Sequence, residues 1–286
     1  MAVYKRSYSS YEGALTPRWS RFLILTRYSY QGLRQSRILT WMFLLSLIFP
    51  VLVIATLYLN HNVRLLSLLQ FHGDHLLTVN GKFFMGLMST QSFCAFLMTA
   101  FIGPGLVSPD LTNNALPLYF CRPLSRTEYV LGRACVLLFL LSFVTWVPGI
   151  LVFGVETSLS GTTWAWDNLN YATGVIVGSW LWISVLTLLA LALSAWVRWK
   201  IVAGGLLLGV MFATTAFAAA VEGILRTNAG FYLDPAALVA VIYARFFDTR
   251  VHTDIEVPGA CLALVLICAF CVWLLSRKIR AFQVVR

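Results

Sequence analysis

Charge is scarce in this 286-residue chain. Asp, Glu, Lys and Arg make up 11% of it, against about 25% in a typical soluble domain. With 59% hydrophobic residues, that deficit excludes a water-surrounded globule and points to an integral membrane protein. Phosphate-binding chemistry is missing as well. There is no G-x-x-x-x-G-K-[ST] loop and no soluble stretch long enough for a nucleotide-binding fold. Neither H-E-x-x-H nor G-x-S-x-G occurs, so the sequence carries neither of those hydrolytic signatures. Carboxylates are nearly absent from the long apolar runs, where a carrier driven by protons or sodium usually needs them. Glu156 and Glu222 fall at span ends and read as water-facing. None of the six cysteines, Cys94, Cys121, Cys135, Cys261, Cys268 and Cys271, lies in an outer loop, which argues against a disulfide framework. The last three share one face of the final apolar run and read as small packing residues.

What is present is six apolar runs, each close to the length of about 20 residues that crosses a bilayer. They cover Ile38–Leu59, Phe83–Gly103, Ala134–Gly154, Ala172–Ala195, Ile201–Ala220 and Val257–Ser276. Each is expected to be a helix, because backbone in hydrocarbon must satisfy its own hydrogen bonds. The expected fold is therefore all-α, a six-helix bundle over residues 38–276 within one domain spanning 1–286.

The net charge of +10 invites a nucleic-acid reading. The distribution argues against it and for topology. Sixteen of the 21 Lys and Arg residues fall in the N-terminal segment, in 104–133, in the turn at Arg198 and Lys200, and in the tail after Ser276. Eight of the 11 acids fall on the other side. Positive charge stays inside, so both termini and the 104–133 connection are placed in the cytoplasm, and the chain in a plasma (inner) membrane.

Before the first span, Thr16 can cap a helix with Pro17 at its first position. Trp19, Arg21 and Arg27 then alternate with Phe22, Leu23, Ile24 and Leu25. This pattern predicts an amphipathic helix in the headgroup layer, with its arginines on anionic lipid. Gly174-x-x-x-Gly178 and Gly205-x-x-x-Gly209 mark two small-residue faces, suited either to packing within one chain or to a seam between two. Asp234-Pro235 opens a 12-residue apolar stretch that is too short to span. It reads as a re-entrant or interfacial helix before the sixth span. His72, Asp74 and His75 in the first outer loop are weak metal candidates, because their spacing is irregular. No metal site is assigned.

The connection 104–133 is unusually structured for a loop. Asp110 can cap a short helix, Leu111–Leu116, that Pro117 would close. Its face offers Leu111, Ala115 and Leu116 for docking, with Asn113 and Asn114 for hydrogen bonds. After Arg122-Pro123, Ser125 and Glu128 have capping-box spacing for a second helix that starts at Arg126 and runs into the third span.

The segment Asp110-Leu-Thr-Asn-Asn-Ala-Leu-Pro-Leu-Tyr119, with Arg122-Pro-Leu-Ser-Arg-Thr-Glu-Tyr-Val-Leu-Gly-Arg133, resembles the loop between the second and third helices of ABC-2 type permeases. The layout is most similar to the six-helix permease of the nitrous oxide reductase maturation transporter. Where such loops often end in Gly-Lys, this chain has Gly132-Arg133. The resemblance implies an export-type permease half that pairs with a second permease chain, identical or not. ATP and Mg would be held by a separate cytoplasmic ATPase, not by this chain. The helix at Asp110–Leu116 would be the coupling helix, with Arg122, Arg126 and Glu128 at its base. The alternative is a membrane scaffold that transports nothing.

Overall fold

A computed structural model of the chain describes residues 20–34, 36–62, 78–113, 115, 118–119, 125–197, 199–250, 253 and 255–278. Thr16, Trp19, His72, Asp74, His75, Asn114, Leu116 and Arg122, and the side chain of Arg21, lie outside the described residues. Among those that are described, every regular element is a helix.

The elements are α1 (Arg21–Arg34), α2 (Arg37–His61), α3 (Gly81–Ile102), α4 (Pro104–Thr112), α5 (Arg126–Ser142), α6 (Trp146–Ser160), α7 (Thr162–Asp167) and α8 (Leu169–Trp196). There follow α9 (Lys200–Leu225), a 3₁₀ turn (Asn228–Leu233), α10 (Pro235–Phe246) and α11 (Val257–Lys278). Six helical segments are long and apolar enough to cross a membrane: α2, α3 with α4, α5 with α6, α8, α9 and α11. The protein is a multi-pass membrane protein, and each expected span is present.

The second span is longer than the sequence suggests. Gly103-Pro104 was expected to end it, yet the helical path continues to Thr112. Gly103 keeps right-handed helical geometry (φ −51°, ψ −50°). Pro104 has no N–H to donate and fits the first position of a helix. The helical path therefore passes the junction without ending. Glycine at 103 lets α8 approach closely: a Cβ there would lie 2.7 Å from the Ala190 Cβ.

The neighbouring span secures this junction. The Ser108 amide donates to Ser194 Oγ at 3.0 Å, and the Ser194 hydroxyl reaches the Pro104 carbonyl at 3.2 Å. Ser108 in turn donates its hydroxyl to the Val197 carbonyl at 2.8 Å. Side-chain hydroxyls in an apolar layer must find such partners within the protein, because lipid supplies none.

Helix α8 is the axis of the bundle and packs against α3, α4, α5, α6, α9, α10 and α11. Burial is uneven. In the most apolar stretches of α3–α4, α5–α6 and α8, 61% of residues are buried, against 22–28% in α2, α9 and α11.

The short helix before the sixth span forms as expected. Asp234 accepts from the Ala236 amide at 3.0 Å, and Pro235 occupies the first turn. Helix α10 lies against the Gly174-x-x-x-Gly178 face of α8. A Cβ on Gly174 would sit 2.5 Å from Phe246 Cβ, and one on Gly178 would sit 2.3 Å from the Tyr243 ring. That face is therefore consumed inside one chain. Gly205 and Gly209 have nothing within 4 Å of a would-be Cβ. On α9 it is Gly204, with the Ala100 carbonyl 2.6 Å from its would-be Cβ, that makes the close approach. Within α11, Cys268-x-x-Cys271 runs from half-buried to buried, and both thiols are free.

A candidate docking site at one end of the bundle

Helix α1, the end of α4 and the start of α5 meet at the end of the bundle that carries Arg277 and Lys278. Helix α1 lies across the first turns of α5. Thr26 donates its hydroxyl to the Gly132 carbonyl at 3.0 Å. A Cβ on Gly132 would stand 3.0 Å from the Phe22 carbonyl and 3.1 Å from Leu25, so glycine lets the two backbones approach. Leu23 and Ile24 are exposed on the far side, as is Arg27. That distribution suits a helix with one face on protein and another on lipid.

The sequence reading of Asp110 needs correction. It is not the cap of a helix at Leu111–Leu116. It lies within α4, which ends at Thr112 with Asn113 as its C-cap. Ala115 follows in a turn, its amide donating to the Asp110 carbonyl at 2.8 Å. The Pro104 start sets the register of α4, so Asp110 comes in the last turn and points its carboxylate inward. There it accepts from the Tyr129 hydroxyl at 2.6 Å and forms an ion pair with Arg133. The other arm of the guanidinium donates to Ser29 Oγ of α1 at 2.6 Å. Arg133 also lies 5.5 Å from the centre of the Tyr129 ring, within cation–π range. Tyr129 is fully buried, and the Arg133 and Asp110 side chains are 9% and 13% exposed. A pair this enclosed is screened far less than a surface pair.

The second helix of the connection starts as expected. Ser125 Oγ accepts from the Glu128 amide at 3.2 Å, and Glu128 accepts from the Ser125 amide at 2.6 Å, which closes the capping box. Glu128 is thus an element of the cap and Arg126 is exposed beside it. Leu111 is half-buried against the core, and Asn113 is exposed. Leu118 is 72% exposed. A shallow groove of about 350 Å³ runs from Pro109, Thr112 and Asn113 across to Trp199, Lys200 and Ile201 of α9.

Tyr129, Arg133, Ser29 and Thr26 were not singled out from the sequence. A signal for two of them was available. Tyr129 and Arg133 stand four apart on one helix face, and a cation entering an apolar span demands an anion. Only Glu12, Asp110 and Glu128 are acidic on that side, and Glu128 is already committed to the cap.

At the opposite end, Glu156 corrects a second expectation. It is 3% exposed rather than wet. One oxygen accepts from Ser160 at 2.6 Å and lies 3.9 Å from His61 Nε2. Glu222 is exposed, as expected. No group of three metal-ligating side chains occurs among the described residues.

No protein-family model matches the chain, and no curated protein matches it.

Proposed function

We propose that this chain is the membrane-spanning half of an ATP-driven transporter, worked from the cytoplasm by a separate ATPase that docks on α1, the end of α4 and the start of α5. One observation carries the reading: the Asp110–Arg133–Tyr129–Ser29 cluster makes these three elements a single body at one end of the bundle. A partner pushing on that surface moves the helices, because among the described residues α1, the end of α4 and the start of α5 are bonded directly to one another. The exposed side chains Asn113, Leu118 and Arg126 and the groove toward Trp199 give a partner polar and apolar anchors. The chain contains no phosphate loop, so the energy source belongs to the partner. Pairing with a second permease chain is part of the same reading, and the open Gly205–Gly209 face supports it.

The test is affinity purification of the full chain from native membranes, followed by identification of bound proteins. An ATPase with a G-x-x-x-x-G-K-[ST] loop is expected. Arg126→Glu and Leu118→Asp should release it while the purified chain keeps its melting temperature. Recovery of other membrane subunits and no ATPase would replace this reading with that of a scaffold.

A further inference from the structure

A cavity of about 250 Å³ lies between α3, α8, α9 and α10, near the middle of the bundle. Its walls carry five aromatic side chains, Phe93, Phe96, Trp182, Phe212 and Tyr243. None of its lining residues is charged. An ion entering would lose its hydration with nothing to replace it. A flat apolar body would instead gain ring contacts on several sides.

The cavity is not purely apolar. Four hydroxyl-bearing residues, Ser89, Ser92, Thr215 and Tyr243, are among those that line it. Tyr243 already shares a hydrogen bond with Ser179 at 3.1 Å, and Thr215 donates to the Met211 carbonyl at 3.1 Å. The Ser92 carbonyl accepts from Trp182 Nε1 at 2.9 Å, and the Ser92 side chain lies beside the Tyr243 hydroxyl. A few polar groups set in an aromatic wall are the usual make-up of a small-molecule site. The size narrows the class further, since pockets for drug-sized ligands run from about 300 to 1,000 Å³. The walls at Phe93 and Phe212 remain 54% and 60% exposed, so the cavity opens sideways, toward lipid.

We infer that this cavity binds a small, uncharged, ring-bearing lipophile with one hydroxyl or carbonyl group, taken up from the bilayer. The permease reading is needed only to make that ligand a cargo; the binding site stands without it.

The test uses the full chain in phosphatidylcholine nanodiscs, with no ATPase present, and a diazirine derivative of para-hexylphenol as the probe. Crosslinks are expected at Met211, Phe212 and their cavity neighbours. Excess para-hexylphenol should reduce them about tenfold, the effect of roughly 1.4 kcal/mol of competed binding. Para-hexylbenzoate, which is anionic, should not compete. Ala240→Trp should fill the space and abolish the crosslinks. Should that variant fail to fold, Ser92→Ala and Thr215→Val serve instead, by erasing the preference for para-hexylphenol over para-hexyltoluene. Crosslinks spread equally onto lipid-facing Val265 and Phe270, or equal competition by the benzoate, would overturn the inference. Neither result would bear on whether an ATPase docks at the other site.

Discussion

Arg133 and Asp110, 23 residues apart in sequence, form a nearly dry ion pair that fastens the third span to the end of the second. A charge held so far from water depends on its partner. Arg133→Met leaves the Asp110 carboxylate buried without its cation, and should destabilise the chain by about 3–5 kcal/mol. Adding Asp110→Asn should restore most of the loss, because the uncompensated charge is gone. Thermal unfolding of the detergent-solubilised chain measures both, and equal melting temperatures for the single and double variants would sink the idea. Charge reversal at Asp110 is consequently a poor probe of the proposed partner docking, since it breaks the body on which that proposal rests.

Ser194 makes two hydrogen bonds to the start of α4, accepting from the Ser108 amide and donating to the Pro104 carbonyl. Ser194→Ala removes both cross-span hydrogen bonds and leaves the Ser108 amide and the Pro104 carbonyl only their partnership within α4, at a cost of about 0.5–1.5 kcal/mol for each bond lost. Ser194→Cys, a weaker partner of similar size, should fall between. Melting temperatures in that order support the role; a neutral Ser194→Ala contradicts it.

The two small-residue faces should respond in opposite ways. Gly178→Ala drives a methyl into the Tyr243 ring and should cost about 1–3 kcal/mol by overpacking. Gly205→Ala meets open space and should stabilise the isolated chain by up to about 1 kcal/mol through helix propensity. Gly205→Leu should leave the chain folded yet weaken the proposed pairing with a second permease chain. Size-exclusion chromatography with light scattering reads the pairing, and an unchanged oligomer would remove that face from the interface.

Ser125→Ala should cost about 1 kcal/mol by uncapping α5, visible as faster amide exchange confined to residues 126–129. Exchange that stays protected there would mean that contacts with α1 alone hold the helix start.

Much of the architecture was legible because lipid enforces it. Apolar runs of sufficient length become helices, and Asp234-Pro235 and Ser125-x-x-Glu128 mark helix starts by local chemistry that needs no tertiary context. The position of Asp110 was not legible for the same local reason. An aspartate before Leu111 fits a cap equally well on paper. Only the continuation of the helix past Gly103-Pro104, held by Ser194 of another span, shows that Asp110 belongs to a final turn. Glu156 misled similarly: its place near a span end suggested water, while the packing of α2 against α6 closed over it. The Gly174 and Gly205 motifs look alike as strings, and their neighbours alone tell a filled face from an open one.

The uneven burial of the spans bears on how such a chain is built. The core around α8 closes within one copy, leaving α2, α9 and α11 with surfaces that lipid tails can cover. Folding and assembly are thereby separable. Each copy can complete its interior first and meet its neighbours afterwards, through helices whose outward faces the interior never required. Substitutions on those faces can alter the company this chain keeps without touching its stability, which leaves them free to vary where the axis of the bundle is not.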